Sequence, residues 1–309
     1  VIIGAGVAGV SAALWMHDYG LSFGWIADED ARVGGILHRV NNPIHNAPPT
    51  DWEDGRALAA ELARQVSRLP AGPRAGRVAR VTATPDGAHL VELGDGSSLT
   101  ALTVILATGT AQRTLGVPGE AELMGERVST SGTRDGARFA GEEVAVVGGG
   151  DGGFENALIL AERQGCRVRM LLRSEEFRAR DDFVARVRAH DLITIAPTPT
   201  TVQRIERVDG AARLHLDTPS GPDTLEVACL FIKIGFGPRL PELEVSTPTG
   251  AYLPVDAHQR TDVAGLFAAG DVTAHPFRAV SHAAGQGARA AFAAAHHLGF
   301  FGEGKEELG

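Results

Sequence analysis

The sequence predicts an α/β fold made of two Rossmann-like, three-layer dinucleotide-binding domains, one inserted within the other. Three observations carry this reading. A short apolar strand runs into a glycine cluster and then a helix at Val1–Gly9, and the same unit restarts at Val144–Gly153. A further strand and turn, Leu266–Asp271, follows the second unit far downstream, as a first domain resumed after an insertion requires. The length, 309 residues, suits about two domains of roughly 150 residues each.

In chain order, the strand Val1–Ile3 meets Gly4-Ala5-Gly6-Val7-Ala8-Gly9, and a helix is expected from Val10 to Tyr19. A second strand, Leu21–Ala27, ends at Asp28, and the turn Gly34-Gly35 follows. Asn41–Pro49 reads as irregular, and Gly55–Leu69 as a helix from its apolar spacing. Val78–Leu93 reads as a β-hairpin about Pro85-Asp86-Gly87, with another hairpin strand after Gly94-Asp95-Gly96. Leu102–Ala107 is a buried strand ending in Thr108-Gly109, and Pro118-Gly119 marks a connector. The second unit gives a strand at Val144–Val147, a helix at Phe154–Gln164 and strands at Arg167–Leu172 and Leu225–Ile234. Ala279–Leu298 is an alanine-rich helix whose Gly285 and Gly287 allow close backbone approach.

Composition narrows the function classes. A hydrophobic fraction of 44% is enough for real cores. The formal net charge of -9 argues against a nucleic-acid partner. No apolar run is long enough for a membrane span. No charged leader precedes Val1, so no signal peptide is expected, and the chain reads as opening mid-strand with a few residues missing before Val1. The two cysteines, Cys166 and Cys229, have no disulfide or metal spacing, so no metal is expected and a reducing cytoplasm is the default compartment.

Gly4, Gly6 and Gly9 form G-x-G-x-x-G between strand and helix. Glycines there allow a tight turn, and the helix start offers free N–H groups and a partial positive charge to a pyrophosphate. Asp28 stands where an acid binds a ribose hydroxyl. The plain alternative is a structural glycine turn. Gly148, Gly150 and Gly153 repeat the motif, but the following strand ends in Leu172-Arg173 rather than an acid. A cation there favours a 2′-phosphate, which makes Arg173 and Arg178 candidates for reading NADPH; the alternative is two solvated surface arginines. Asp271, just past a buried strand, suits a hydrogen bond from a ribityl hydroxyl of FAD, or equally a turn or helix cap.

These motifs, with Ala107-Thr108-Gly109 and Gly270-Asp271, stand in the order found in pyridine-nucleotide flavoprotein reductases. The chain resembles the low-molecular-weight thioredoxin reductase family over nearly its whole length. Leu172-Arg173-Ser174-Glu175-Glu176-Phe177-Arg178-Ala179 resembles that family's His-Arg-Arg-x-x-Phe-Arg-Ala. The resemblance implies a homodimer, an FAD-binding domain of residues 1–114 and 239–309, and an NAD(P)H-binding domain of residues 115–238. It adds Gly35, Leu37, Asn46, Thr108, Gly109, Gly270, Arg278 and Ala279 to the FAD residues, and Asp151 to the NAD(P)H residues. The helix start near Ala279 would face the flavin N1/C2=O edge.

The chain departs from the family at its redox centre. Where the family carries Cys-Ala-Thr-Cys-Asp, this sequence reads Ser131-Gly132-Thr133-Arg134-Asp135. Without a thiolate and a disulfide bond, thiol–disulfide exchange has no chemistry. Other departures are Ile36 for a glutamine, Ala279 for a glutamine, Gly152 for a hydroxyl residue and Ser174 for an arginine. Asp135 matches the acid beside the missing thiols and is the candidate catalytic proton donor, with capping of the next turn as its alternative. His38, His45, His275 and His282 are acid–base candidates that no spacing separates.

The expected function is an FAD-dependent oxidoreductase passing hydride from NADPH, with NADH as the other option, to FAD and on to a non-disulfide acceptor. That acceptor would be a small-molecule substrate or an electron-carrier protein, since the family includes dithiol-free ferredoxin–NADP reductases. The competing expectations are an oxidase of a small metabolite with a vestigial nicotinamide domain, and a non-catalytic flavin sensor.

Overall fold

The computed structural model describes residues 1–28, 30–248 and 250–301. The chain packs as two compact units: Val1–Ala111 with the chain from Gly237 onward, and Gln112–Phe236. The passage between them is a two-stranded sheet of Thr110–Gln112 and Phe236–Pro238. The expected boundaries, 114/115 and 238/239, lie a few residues beyond these; within the expected 239–309 segment, 249 and 302–309 lie outside the described residues.

The first unit is built on a five-stranded parallel sheet, ordered Leu266–Ala268, Val104–Leu106, Ile2–Ile3, Trp25–Ala27, Arg74–Ala75. Ile2 pairs with both Trp25 and Ile105, so the first strand is central and its C-terminal end delivers Gly4 to the sheet's crevice. Strands buried on both faces read as continuous apolar runs, which is why they are visible in the sequence. The helices Val7–Asp18 and Val280–His297 pack side by side through small residues. A Cβ on Gly287 would lie 2.1 Å from the Ala8 carbonyl oxygen, so glycine is needed there for one helix to approach the other. The helix Gly55–Val66 starts at Asp54, whose carboxylate accepts from the Ala57 N–H at 2.9 Å. A four-stranded sheet, Glu242–Leu243, Val78–Ala83, His89–Leu93, Ser98–Ala101, contains the expected hairpin, with Val78 opposite Leu93.

The second unit has its own five-stranded parallel sheet, ordered Ile193–Ile195, Arg167–Leu171, Glu143–Val147, Cys229–Ile232, Val128–Ser129. Its helix Asp151–Gln164 buries Phe154, Ala157, Leu158 and Leu160 against that sheet and ends at Gly165 in the left-handed region. The expected single strand Leu225–Ile234 is two strands. Gly221–Val227 closes a three-stranded antiparallel sheet with Thr201–Val208 and Ala211–Thr218, and only Cys229–Ile232 enters the parallel sheet. The alternation Ala212, Leu214, Leu216 after Asp209-Gly210 is the sequence signal for that sheet. Among the described residues no helix is long and apolar enough to cross a membrane.

Candidate cofactor sites

The first glycine turn separates glycines the fold needs from one it does not. Gly4 has φ +110°, and a Cβ there would sit 2.3 Å from the Ala107 carbonyl oxygen. A Cβ on Gly9 would sit 2.0 Å from the Gly4 oxygen. Gly6 has nothing within 4 Å of its Cβ position, yet it caps the Val7–Asp18 helix without any side-chain cap. The first intrahelical bond runs from the Val10 N–H to Gly6, so the N–H groups of Val7 to Gly9 point into that open space. The Gly34-Gly35 turn lies alongside. The Gly34 N–H donates to Ala5 at 2.7 Å, and a Cβ on Gly35 would be 3.2 Å from the Gly6 Cα. Thr108 Oγ1 is buried with no hydrogen-bond partner among the described residues. Open space at Gly6 and an orphaned hydroxyl at Thr108 are what a dinucleotide would fill.

The other expected FAD residues divide into three kinds. Leu37 is buried among Ile44, Ala47, Leu58 and Ala59, so its side chain holds the loop rather than facing a ligand. Asn46 is exposed, and Gly109 takes the left-handed region and accepts from the Arg239 N–H at 2.9 Å. Asp28 is already engaged: the Arg239 guanidinium donates to both of its carboxylate oxygens, at 2.6 and 2.9 Å. The sequence reading missed Arg239.

At the far side of the crevice, Gly270 has φ +79°, and its Cβ position lies 2.9 Å from Ala8 Cβ and 3.8 Å from Ala283 Cβ. The Gly270–Asp271 turn therefore meets the starts of both long helices. The Gly270 N–H donates to Gln286 at 2.8 Å. Asp271 caps no helix among the described residues and its carboxylate has no hydrogen-bond partner there. Burial pushes its carboxyl above the usual carboxylate range, against the opposing fields of Arg278 and His282. An unsatisfied, half-buried carboxylate beside the glycine turn suits a ligand hydroxyl better than a turn cap. Arg278 stacks over Tyr252 at 4.2 Å. Ala279 precedes the last helix with no side-chain cap and no acid in the first turn, which leaves the N–H groups of Val280 to His282 ahead of the first helical bond.

The second glycine turn repeats the geometry. Gly148, at φ +146°, would place a Cβ 2.2 Å from the Lys233 carbonyl oxygen, and Gly153 one 2.1 Å from the Gly148 oxygen. Gly150, like Gly6, has nothing within 4 Å. The segment after the next strand folds over this turn: the Arg178 N–H donates to Gly149 at 2.8 Å and the Arg180 N–H to Asp151 at 2.8 Å. Asp151 also pairs with the Arg180 side chain at 3.3 Å. Arg173 and Arg178 are exposed, and among the described residues neither guanidinium has an ion pair or hydrogen bond. Lys233 and Asn156 were not foreseen. The Lys233 ammonium donates to Thr130 at 3.2 Å and burial lowers its pKa. Asn156 accepts from the Gly132 N–H at 2.7 Å and donates to Gly152 at 2.8 Å, tying the Ser131–Asp135 segment to the glycine turn.

In that segment the Ser131 side chain caps a short helical turn, accepting from the Arg134 N–H at 3.2 Å. Arg134 binds Asp135 through two hydrogen bonds, 2.9 and 2.6 Å, and the Ser129 hydroxyl donates to it at 2.6 Å. Arg134 first, and Ser129 after it, hold the Asp135 carboxyl below the usual range against its burial. At neutral pH Asp135 is ionised and has no proton to give, which corrects the expectation of a proton donor; the arrangement fits orientation of Arg134. Both cysteines are fully buried and unpaired. Burial raises the Cys166 thiol, and it pushes Cys229 up to about 12 with Asp135 adding to the shift, so neither is a thiolate. Of the histidines, His45 is exposed beside Asp51 at 3.3 Å and His38 bonds the Val33 carbonyl at 2.8 Å. His275 and His282 stack with ring centroids 4.2 Å apart.

Residues 1–287 match the family model described as pyridine nucleotide-disulphide oxidoreductase. The chain is 35% identical over 312 residues to an alkyl hydroperoxide reductase of Pseudomonas putida, covering 96% of this chain and 58% of that protein. It is 33% identical over 306 residues to thioredoxin reductase of Treponema pallidum (strain Nichols), covering 96% of each. The chain thus spans little more than half of some relatives and nearly all of others. Thioredoxin reductase of Lactococcus lactis superposes with a TM-score of 0.76 at 28% identity, covering 96% of this chain and 97% of that one. The chain belongs to the pyridine nucleotide-disulphide oxidoreductase family, as a thioredoxin reductase-like flavin-dependent oxidoreductase with that family's cofactors, FAD and NADPH.

Proposed function

We propose that these residues take hydride from NADPH onto FAD and pass the electrons to an acceptor that is not a protein disulfide. One observation carries the second half. Where a redox-active thiol pair would stand, Ser131 caps a turn and Arg134 is clamped on Asp135, while both cysteines are buried, protonated and elsewhere. The printed names of the relatives, thioredoxin reductase and alkyl hydroperoxide reductase, belong to those proteins. A disulfide acceptor would need thiols that this segment lacks.

The chain's own residues then have separate duties. The helix starts at Gly6 and Gly150 hold the two diphosphates by backbone N–H groups and helix dipole. Asp28 and Asp271 accept from FAD hydroxyls, and Gly35, Gly109 and Asn46 line the same crevice. Arg173 and Arg178 hold the 2′-phosphate as charge-assisted donors. The flavin, when bound, supplies the two-electron chemistry; the protein supplies position and electrostatics. The last helix start, at Ala279, places unpaired N–H groups where negative charge grows on reduction. We further propose a cytoplasmic homodimer serving a small-molecule or carrier-protein acceptor.

The test is turnover of the holoprotein with NADPH against two acceptor classes. Reduction of a quinone or dye acceptor with no reduction of a small aromatic disulfide or of oxidised thioredoxin is the expected result. Disulfide turnover matching the rate of flavin reduction would overturn the reading.

A further inference from the structure

We propose that the stacked pair His275–His282 takes up one proton when flavin bound in the first unit is reduced, with His282 holding the proton and His275 positioning its ring. This rests on the FAD half of the functional reading and goes beyond it.

The place is fixed by the fold. His282 stands in the first turn of the Val280–His297 helix, next to Ala283, which faces the Gly270 turn. Gly270 in turn faces Ala8, in the first turn after the Gly6 diphosphate cradle. The pair therefore sits one residue from the point where cradle, Asp271 turn and last helix meet. Its geometry is specific: the two imidazoles lie 4.2 Å apart at 31°, and the Phe277 ring meets His282 edge-on at 5.7 Å. His282 Nε2 is shielded from solvent and has no hydrogen-bond partner among the described residues. A buried ring nitrogen with nothing to bond is costly and is uncommon without a reason.

Four charged or titratable groups bear on this pair. Asp271, from the turn, favours a proton on His282; His275, stacked on it, and Arg289, from its own helix, oppose one. Arg278, from the intervening loop, acts on Asp271. With burial as the largest influence, His282 is held neutral at rest. Two stacked imidazoles share at most one charge. Reduction brings two electrons and one proton to the flavin from the nicotinamide hydride and leaves one added negative charge. That charge favours an N–H bond at His282 Nε2, formed with a second proton from solvent. On reoxidation the electron pair passes to the acceptor and the imidazole proton leaves with it or returns to solvent.

The experiment is a potentiometric titration of the holoprotein, followed by flavin absorbance, at several pH values from about 6 to 8 around the reference histidine value. A two-electron couple moves by about 30 mV per pH unit for each proton taken up. The wild type is expected to show a slope of about 60 mV per pH unit, and His282→Gln about 30. His275→Gln keeps the steeper slope but carries it to higher pH, because an opposing neighbour is gone. If glutamine disturbs flavin loading, His282→Asn gives the same comparison with a shorter side chain. Equal slopes in wild type and both His282 variants would overturn the proposal while leaving FAD binding intact. A wild-type protein that takes up no flavin would instead sink the cofactor reading on which it stands.

Discussion

The Arg239 guanidinium closes two hydrogen bonds on the Asp28 carboxylate, at 2.6 and 2.9 Å, across 211 positions of sequence. Arg239 is also held by its backbone N–H to Gly109, so the strand returning to the first unit reaches the acid expected to receive the ribose. Both side chains are about half exposed, and such a pair contributes about 0–1 kcal/mol. Removing the competitor in Arg239→Ala is expected to tighten FAD binding by up to about fivefold. Asp28→Asn, which loses a charged acceptor, is expected to weaken it by about tenfold or more. Fluorescence titration of flavin-free protein reads both; weaker binding in Arg239→Ala would mean that Arg239 touches the cofactor itself.

The glycine turns make a sharper contrast. Gly9→Ala drives a Cβ into the Gly4 oxygen and Gly153→Ala one into the Gly148 oxygen, so each is expected to cost about 1–3 kcal/mol of stability. Gly6→Ala and Gly150→Ala meet no protein atom within 4 Å, so they should melt near the wild-type temperature yet bind FAD and NADPH, respectively, more weakly. Thermal unfolding set beside flavin content and nucleotide affinity separates the two groups. Normal cofactor affinity in Gly6→Ala would show that the open space there is not where the diphosphate lies.

The sequence told as much as local stereochemistry allows. The glycine turns were legible because positive φ and backbone contact leave glycine alone at Gly4 and Gly148, and because buried parallel strands are short apolar runs. The antiparallel sheet of the second unit was not, because Leu225 and Val227 run unbroken into Cys229–Ile232 and the change of sheet at Ala228 leaves no turn signal. The Arg239–Asp28 pair was hidden by its separation along the chain. Asn156 was hidden because a mid-helix asparagine looks like a poor helix former until its two bonds to Gly132 and Gly152 are seen. The unequal histidines were hidden because stacking depends on a loop and a helix meeting in space.

Arg173 and Arg178 lie beside the second glycine turn with no partner among the described residues, and Arg178 is anchored there by its own backbone N–H. Alanine at either position is expected to weaken NADPH by about tenfold, the worth of one charge-assisted bond, and to leave NADH nearly unchanged. Ratios of Kd for the two nucleotides check this. An equal loss for both would place the arginines on the shared diphosphate instead.

The Asp135–Arg134 clamp predicts a pH dependence of stability. The folded carboxyl titrates below its ordinary value, so the unfolded chain binds the proton more readily. The stabilisation is fully present above about pH 4, the ordinary aspartate value, and is lost as pH falls through the lower folded value. Asp135→Asn is expected to cost about 1–3 kcal/mol at neutral pH and to flatten the acid limb of stability against pH. Denaturant unfolding at a series of acid pH values measures it; an unchanged acid limb would mean that the clamp contributes nothing to the fold.

Anaerobic titration of the purified yellow protein with NADPH, followed in the flavin band, addresses the central claim most directly. Bleaching complete at about one NADPH per flavin, with no further two-electron equivalents consumed, is expected of a flavin with no redox-active thiol pair behind it. Consumption of a second equivalent before bleaching is complete would reveal a dithiol, and a protein without flavin absorbance would contradict the account at its root.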